Sequence, residues 1–235
     1  MLVSWLGSLA ALALALAIGY QLGRQSITGA DLACGVSKVV DLSVPIRMGI
    51  ASDPPMLLPT VAYTLHQDGA KQMATFFPGL KASDLRGGDG WALETLTLST
   101  HAGTHVDAPW HYSATDSTGK RALMMHELPP EQFMGPGVKL DFRHFPDGYV
   151  VSADAVKDEL RRIGHTLHPG DIVLVNTAAG RRYGKEDYLV RGCGLGREAT
   201  NYLTGQGVRT MGTDAWSWDA PFIFTAQRWK GTWDP

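Results

Sequence analysis

Apolar and polar residues follow patterns along this chain that are typical of both strands and helices. Between residues 91 and 100, Leu96 and Leu98 alternate with hydroxyl-bearing side chains, which predicts a half-buried strand. Residues 172–175 form an unbroken apolar run, which is typical of a strand buried on both faces. Shorter segments that mix apolar and polar residues predict further strands at residues 39–44, 138–142 and 208–212.

Two segments show helical spacing instead. Ser152 can cap a helix that Gly164 can end, and its apolar positions are Val156, Leu160 and Ile163. A second helix is predicted around Ala199, Tyr202 and Leu203. Because helices and strands are interspersed, the fold class is predicted to be α/β, or α+β, with a substantial sheet in one domain.

The N-terminal segment, residues 1–23, has a different character. It carries no charge from Leu2 to Tyr20, and a helix of this length would span roughly 28 Å, close to the thickness of a bilayer core. We expect membrane association through residues 2–22 as an anchor, or removal as a signal peptide. The alternatives are a Leu/Ala helix of a cytoplasmic protein, or a misassigned start.

Composition and charge narrow the classes of partner. The chain is 44% hydrophobic and 19% charged, and its net charge of −2 gives no electrostatic reason to expect nucleic acid. Its two cysteines, Cys34 and Cys193, are too few for a disulfide framework. We interpret them as unpaired thiols, or as a pair if the protein is exported. No G-x-S-x-G sequence supports a serine hydrolase.

Residues suited to metal binding or catalysis are concentrated in one stretch, which we call the histidine segment: His101-Ala-Gly-Thr-His105-Val-Asp107-Ala-Pro109-Trp-His111. Neutral imidazoles and a carboxylate are preferred ligands of Zn²⁺ or Mn²⁺. A helix would place His101 and His105 one turn apart, but Gly103, Pro109 and the β-branched residues favour a tight loop after a strand. His101, His105 and Asp107 are the predicted metal ligands. Three ligands leave positions open, as in catalytic sites, and His111 suits a general acid/base.

This segment resembles the H-x-G-T-H-x-D-x-P-x-H signature of the cyclase family, which includes bacterial kynurenine formamidases and isatin hydrolases. The similarity extends over roughly residues 38–221 and includes Gly170-Asp-Ile-Val-Leu174 and Gly212-Thr-Asp-Ala-Trp-Ser-Trp-Asp219. The resemblance implies a swivelling β/β/α fold with a mixed sheet, a homo-oligomer, and hydrolysis of an amide, formamide or lactam. It also implies the same metal ligands and the same role for His111.

One departure from the family pattern concerns the end of the chain. Kynurenine formamidases of this family complete a two-metal site with a His and a Glu downstream of the Ser-x-Asp stretch, and neither residue type occurs here after Asp219. We interpret residues 38–235 as the cyclase-like domain, truncated at its C-terminus. The alternative is a site with one metal, completed by water and a neutral ligand.

Several other residues are candidates for the same site. Trp110, Trp216 and Trp218 could form an aromatic wall for a planar small-molecule substrate, or belong to the core. Asp214 and Asp219 could orient a ligand histidine, or cap turns. Four further histidines have no metal-like spacing to the histidine segment and are interpreted as surface or loop residues: His126, His144, His165 and His168.

These observations predict a metal-dependent amidohydrolase for a substrate such as N-formylkynurenine (an arylformamidase) or isatin. Three ligands around an open metal position, with an acid/base beside it, are what hydrolysis by metal-activated water requires. The alternative is a non-catalytic metal-binding protein with a degenerate or truncated hydrolase fold. A dehydration or ring closure at the same site would differ only in its substrate.

Overall fold

The computed structural model describes residues 38–230, and these fall into two compact units that divide between Ser43 and Val44. Residues 38–43 of the first unit form no helix or strand. The strand predicted at residues 39–44 is therefore wrong. The carboxylate of Asp41 accepts hydrogen bonds from the backbone N–H and the hydroxyl of Ser43, at 2.9 and 2.6 Å. Such local side-chain bonds compete with strand pairing.

The second unit contains seven strands and five α-helices among its described residues. In chain order these are β1 (Thr60–Thr64), α1 (His66–Phe76), β2 (Leu93–Thr97), α2 (Pro109–Tyr112), β3 (Gly137–Asp141), β4 (Val150–Val151), α3 (Ala153–Ile163), β5 (Ile172–Asn176), β6 (Gly194–Leu195), α4 (Arg197–Gly205), β7 (Thr210–Thr213) and α5 (Phe222–Trp229). The α/β class predicted from the sequence is confirmed. The strands predicted at residues 138–142, 172–175 and 208–212 correspond to β3, β5 and β7.

The strands form three separate sheets. β3, β5 and β7 build a parallel sheet with β5 in the centre, and β4 pairs with β6 in parallel. β1 and β2 pair antiparallel, with Thr60 opposite Thr97. Parallel and antiparallel pairing therefore both occur, but in different sheets.

The hydrophobic core lies between the parallel strands and the helices that connect them. Leu140 of β3, Val173 of β5, Val156 of α3 and Leu203 of α4 are completely inaccessible to solvent. Burial of this apolar area is the main favourable contribution to folding. Most of the stability of the second unit therefore resides in this parallel part.

The predicted ends of α3 are confirmed. The hydroxyl of Ser152 accepts a hydrogen bond from the backbone N–H of Ala155 at 3.2 Å, which caps the first turn. Gly164 ends the helix in the left-handed conformation, with φ of 68°. Of the predicted apolar positions, Val156 and Leu160 are buried whereas Ile163 remains 36% exposed.

The strand predicted between residues 91 and 100 exists as β2, but its burial was predicted wrongly. Every residue of β2 is exposed, and Leu93 and Leu96 are each 48% exposed. On β1 only Val61 is buried. Alternation of apolar residues identifies a strand, whereas burial depends on what packs against it, and within residues 44–230 nothing covers these leucines.

None of the helices formed by residues 38–230 has both the length and the apolar character needed to cross a bilayer. The hydrophobic segment at residues 1–23 lies outside the described residues, and so does Cys34. Their predicted roles stay predictions.

Candidate metal centre

The histidine segment leaves the end of β2 as a turn and becomes helical only at Pro109, where α2 begins. The predicted loop is thus observed, and the helical alternative for His101 and His105 is not. Gly103 has a positive φ of 68°, and a Cβ there would lie 3.1 Å from Cγ1 of Ile46. Both the backbone conformation and the available space favour glycine at this position. The hydroxyl of Thr104 accepts the backbone N–H of Val44 at 2.9 Å, which ties the turn to the chain before it.

This turn brings together three potential ligand atoms, which we call the ligand trio: Nδ1 of His101, Nε2 of His105 and Oδ1 of Asp107. His101 Nδ1 lies 2.9 Å from Asp107 Oδ1, and His105 Nε2 lies 3.2 Å from it. The two ring nitrogens are 3.2 Å apart. Ligand atoms around one ion with bonds of about 2.0–2.2 Å are roughly 3.0–3.5 Å apart, so the spacing of the ligand trio suits a single divalent cation.

Hydrogen bonding around the ligand trio also fits a cation. His105 Nδ1 lies 2.9 Å from the carbonyl oxygen of Gly103, which can only accept, so Nδ1 carries the proton and Nε2 of the neutral ring keeps its lone pair. Without an ion, the 3.2 Å contact between His101 Nδ1 and His105 Nε2 can be a hydrogen bond, and a bound ion would displace its proton. Oδ1 of Asp107 nevertheless remains buried without a hydrogen-bond donor. A buried, unpaired carboxylate oxygen is costly unless a cation satisfies it.

Tyr112, at the end of α2, contacts the other oxygen of the same carboxylate. Its hydroxyl donates to Asp107 Oδ2 at 3.0 Å. Loss of solvent around the hydroxyl and the negative charge of Asp107 raise the pKa of Tyr112 to about 12, so the hydroxyl remains a donor at neutral pH. The sequence analysis missed this residue, because its contact depends on how α2 turns back towards Asp107.

His111 lies on α2 beside the ligand trio. Its ring centroid is 4.2 Å from that of His101, and one ligand atom each of His101, Asp107 and His111 lie within 4.8 Å of one another. The imidazole can therefore either exchange protons with a group held at the ligand trio or become a further ligand.

The predicted aromatic wall is dispersed in the structure. Trp110 precedes His111 on α2 and is 44% exposed. Trp216 donates its indole N–H to Asp53 Oδ1 at 3.1 Å and packs edge-to-face on Phe222. Trp218 donates to Thr200 Oγ1 at 2.9 Å and packs against the hydrophobic core. Only Trp110 adjoins His111 in the chain, and substrate contacts of all three tryptophans stay a prediction.

The two aspartates proposed as orienting residues occupy different environments. Asp214 accepts hydrogen bonds from the segment after β5: its Oδ1 bonds the N–H and hydroxyl of Thr177, and its Oδ2 bonds Asn176 Nδ2 and the N–H of Gly180. These contacts join the ends of β5 and β7. Burial raises the pKa of Asp219, and the charge of Asp219 contributes to the raised pKa of Tyr112. The orienting role of both aspartates stays a prediction.

Comparisons with known proteins concern the family and the fold of this chain. A family model described as "Putative cyclase" matches residues 40–220. Isatin hydrolase A from Labrenzia aggregata, bound to benzyl benzoate, is 21% identical with a TM-score of 0.60, over 86% of this chain and 75% of that one. Isatin hydrolase A from Ralstonia solanacearum is 21% identical with a TM-score of 0.56, over 88% and 73%.

A third solved structure, an isatin hydrolase bound to the product analogue thioisatinate, is 24% identical with a TM-score of 0.48, over 56% of this chain. This chain spans 53%, about half, of the length of that protein. At such identities, the two isatin hydrolases A establish the fold, which confirms the architecture expected from the resemblance.

Proposed function

Because the chain belongs to the cyclase family, we propose that it is a metal-dependent hydrolase that cleaves the carbon–nitrogen bond of an amide, formamide or lactam. The observation that carries this proposal is the convergence of the ligand trio on one point, where Asp107 Oδ1 has no hydrogen-bond donor. The donor set of two imidazoles and one carboxylate fits Zn²⁺ or Mn²⁺.

Five residues of the histidine segment and the adjacent Tyr112 have roles in this mechanism. His101, His105 and Asp107 would hold the ion, while the Gly103 carbonyl fixes the tautomer of His105 and Tyr112 fixes the orientation of Asp107. When bound, a divalent cation supplies Lewis acidity, which polarises a carbonyl and makes water more acidic. His111 would accept a proton from the water that attacks the carbonyl carbon and pass it to the leaving nitrogen as the carbon–nitrogen bond breaks, since an imidazole exchanges protons near neutral pH.

The similar structures and the family resemblance support a finer substrate class within this proposal. Isatin hydrolases A from two organisms share this fold, and the family that the histidine segment resembles includes kynurenine formamidases. We therefore place an isatin-like lactam or an N-formylkynurenine-like formamide first among substrates, with Trp110 contacting the planar ring. A homo-oligomer is also part of the proposal, because Leu93 and Leu96, on opposite faces of β2, are each 48% exposed and a second copy could cover such apolar side chains.

The test compares metal content with turnover in matched variants. Chelator-treated protein is reloaded with Zn²⁺ or Mn²⁺ and assayed with isatin and N-formylkynurenine. We expect His105→Ala and Asp107→Asn to lose the metal and the activity together, whereas His111→Gln keeps the metal and loses turnover. His126→Gln, outside the segment, is the control and should retain both.

The outcomes separate the proposal from its alternative. Metal binding without turnover of any amide would favour a non-catalytic metal-binding protein. If His111→Gln also lost the metal, His111 would be a ligand and its acid/base role would be wrong. Full activity after removal of the metal would refute the proposal itself.

A further inference from the structure

A second group of potential ligands lies in the connection between α3 and β5, away from the histidine segment in the chain. His165, His168 and Asp171, which we call the loop trio, each offer one atom within 4.8 Å of the other two. His165 Nε2 lies 2.8 Å from Asp171 Oδ2, and the rings of His165 and His168 face each other edge-on with centroids 6.0 Å apart. Both histidines were predicted to be surface or loop residues, and the structure places them in a loop beside Asp171.

The backbone holds this connection in place. The N–H of His165 donates to the carbonyl of Leu160 in the last turn of α3, at 3.0 Å. The side chain of Leu167 belongs to the hydrophobic core. The backbone N–H of His168 donates to Asp171 Oδ2 at 2.9 Å, and that of Asp171 donates to the carbonyl of His168 at 3.1 Å. The loop trio is therefore carried by a backbone that is fixed without any ion.

Burial differs among the members of the loop trio in a way that suits an ion near the surface. The carboxylate of Asp171 is only 4% exposed, whereas the ring of His165 is 32% exposed and His168 is exposed. An ion held here would have a buried anionic ligand on one side and water on the other. A hydrogen bond between His165 and Asp171 alone would also fix the loop, but it leaves the ring of His168 without a role.

We propose that His165, His168 and Asp171 form a second binding site for a borderline divalent cation, of which Zn²⁺ is the representative. Imidazole and carboxylate together favour ions such as Zn²⁺, Ni²⁺ and Co²⁺ over Mg²⁺ or Ca²⁺, which prefer all-oxygen sites. The site joins the end of α3 to the start of β5, so a bound ion stabilises the folded chain in proportion to its occupancy. This proposal is independent of the hydrolase activity.

The test counts zinc in a background that lacks the ligand trio. The double variant His101→Gln/His105→Gln of the full chain is dialysed against Zn²⁺, and bound metal is measured by elemental analysis. We expect one equivalent of Zn²⁺ to remain bound and the thermal unfolding midpoint to rise as Zn²⁺ is added. Adding His168→Gln should weaken this binding at least tenfold and remove the shift of the midpoint.

His168→Gln is informative because it removes the ring but keeps the backbone N–H that bonds Asp171, and keeps His165 and its contact. The variant should therefore unfold at the same midpoint as its background when Zn²⁺ is absent. His126→Gln in the same background is the matched control and should bind Zn²⁺ unchanged. The proposal is overturned if the double variant binds no Zn²⁺, or if His168→Gln binds it as tightly as the background does.

Discussion

Tyr112 offers the most direct test of how the protein prepares Asp107 for an ion. The substitution Tyr112→Phe removes the hydroxyl that donates to Asp107 Oδ2 and leaves the ring in place. Hydrogen bonds to charged groups contribute about 1.5–3 kcal/mol. The distance of 3.0 Å is long for a hydroxyl donor and Tyr112 is 68% exposed, so the lower end of that range applies.

A loss of about 1.5 kcal/mol corresponds to roughly a tenfold change in a binding constant. We therefore expect Tyr112→Phe to bind Zn²⁺ about tenfold more weakly than the wild type, as is usual when a residue that orients a metal ligand is removed. Because the pKa of Tyr112 is raised to about 12, its hydroxyl is protonated throughout neutral pH. The ratio of the two affinities should thus be constant from about pH 6 to about pH 9.

The assay is competition for Zn²⁺ with a chromophoric chelator. Tyr63→Phe is the matched control, because Tyr63 lies on β1 and is 62% exposed, and its affinity should equal that of the wild type. An affinity of Tyr112→Phe within twofold of the wild type would refute the orienting role. Absence of Zn²⁺ binding by the wild type would instead count against the proposed function.

Three further predictions concern residues outside the ligand trio. Asp214→Asn should lower the free energy of unfolding, measured in urea, by about 1–3 kcal/mol, because the single oxygen of an amide cannot accept hydrogen bonds from all four donors. The affinity for Zn²⁺ should not change, and a weaker affinity would instead support the orienting role of Asp214. Burial raises the pKa of Cys193 to about 11, so its thiol should be unreactive in the folded protein. In a Cys34→Ser background, a disulfide reagent at about pH 8 should modify Cys193 only after unfolding. Rapid modification of the native protein would contradict this prediction. Leu203→Ala should lower the free energy of unfolding by about 2–5 kcal/mol in the same urea assay, because Leu203 is fully buried. Leu65 is 59% exposed, so Leu65→Ala should change the free energy of unfolding by less than about 0.5 kcal/mol.

The parts of the fold that the sequence predicts correctly are those with local physical causes. The start and end of α3 follow from a serine that can bond the first turn and a glycine that can adopt a positive φ. β5 follows from an unbroken apolar run between two crossover helices. Residues 39–44 are also rich in valine and leucine, but they include Asp41 and Ser43, and a strand also needs a partner that the segment itself does not reveal.

In the candidate site, too, the contacts between residues close in the chain could be predicted, whereas those between distant residues could not. The ligand trio comes from seven consecutive residues, so one turn suffices to bring its atoms together, and the residue types alone predict it. The contacts of Trp216 with Asp53 and of Asp214 with Thr177 join distant parts of the chain, which no spacing rule reveals. The residues of the loop trio are close in the chain, but the inference that they bind an ion depends on the burial of Asp171, which is a property of the fold.

The residues that stabilise this fold and the residues that would hold a metal lie in different parts of the second unit. Its three members lie on a turn next to the exposed β1–β2 pair, whereas the inaccessible side chains of the core lie on the parallel sheet and on helices α3 and α4. Contacts within the turn, such as the His105–Gly103 and Tyr112–Asp107 bonds, orient the ligand atoms without using that core. Substitutions in the core should therefore reduce the population of folded protein and leave the intrinsic metal affinity of that population unchanged. Substitutions in the turn should weaken metal binding and leave the population of folded protein nearly unchanged, because few buried apolar atoms pack against the turn.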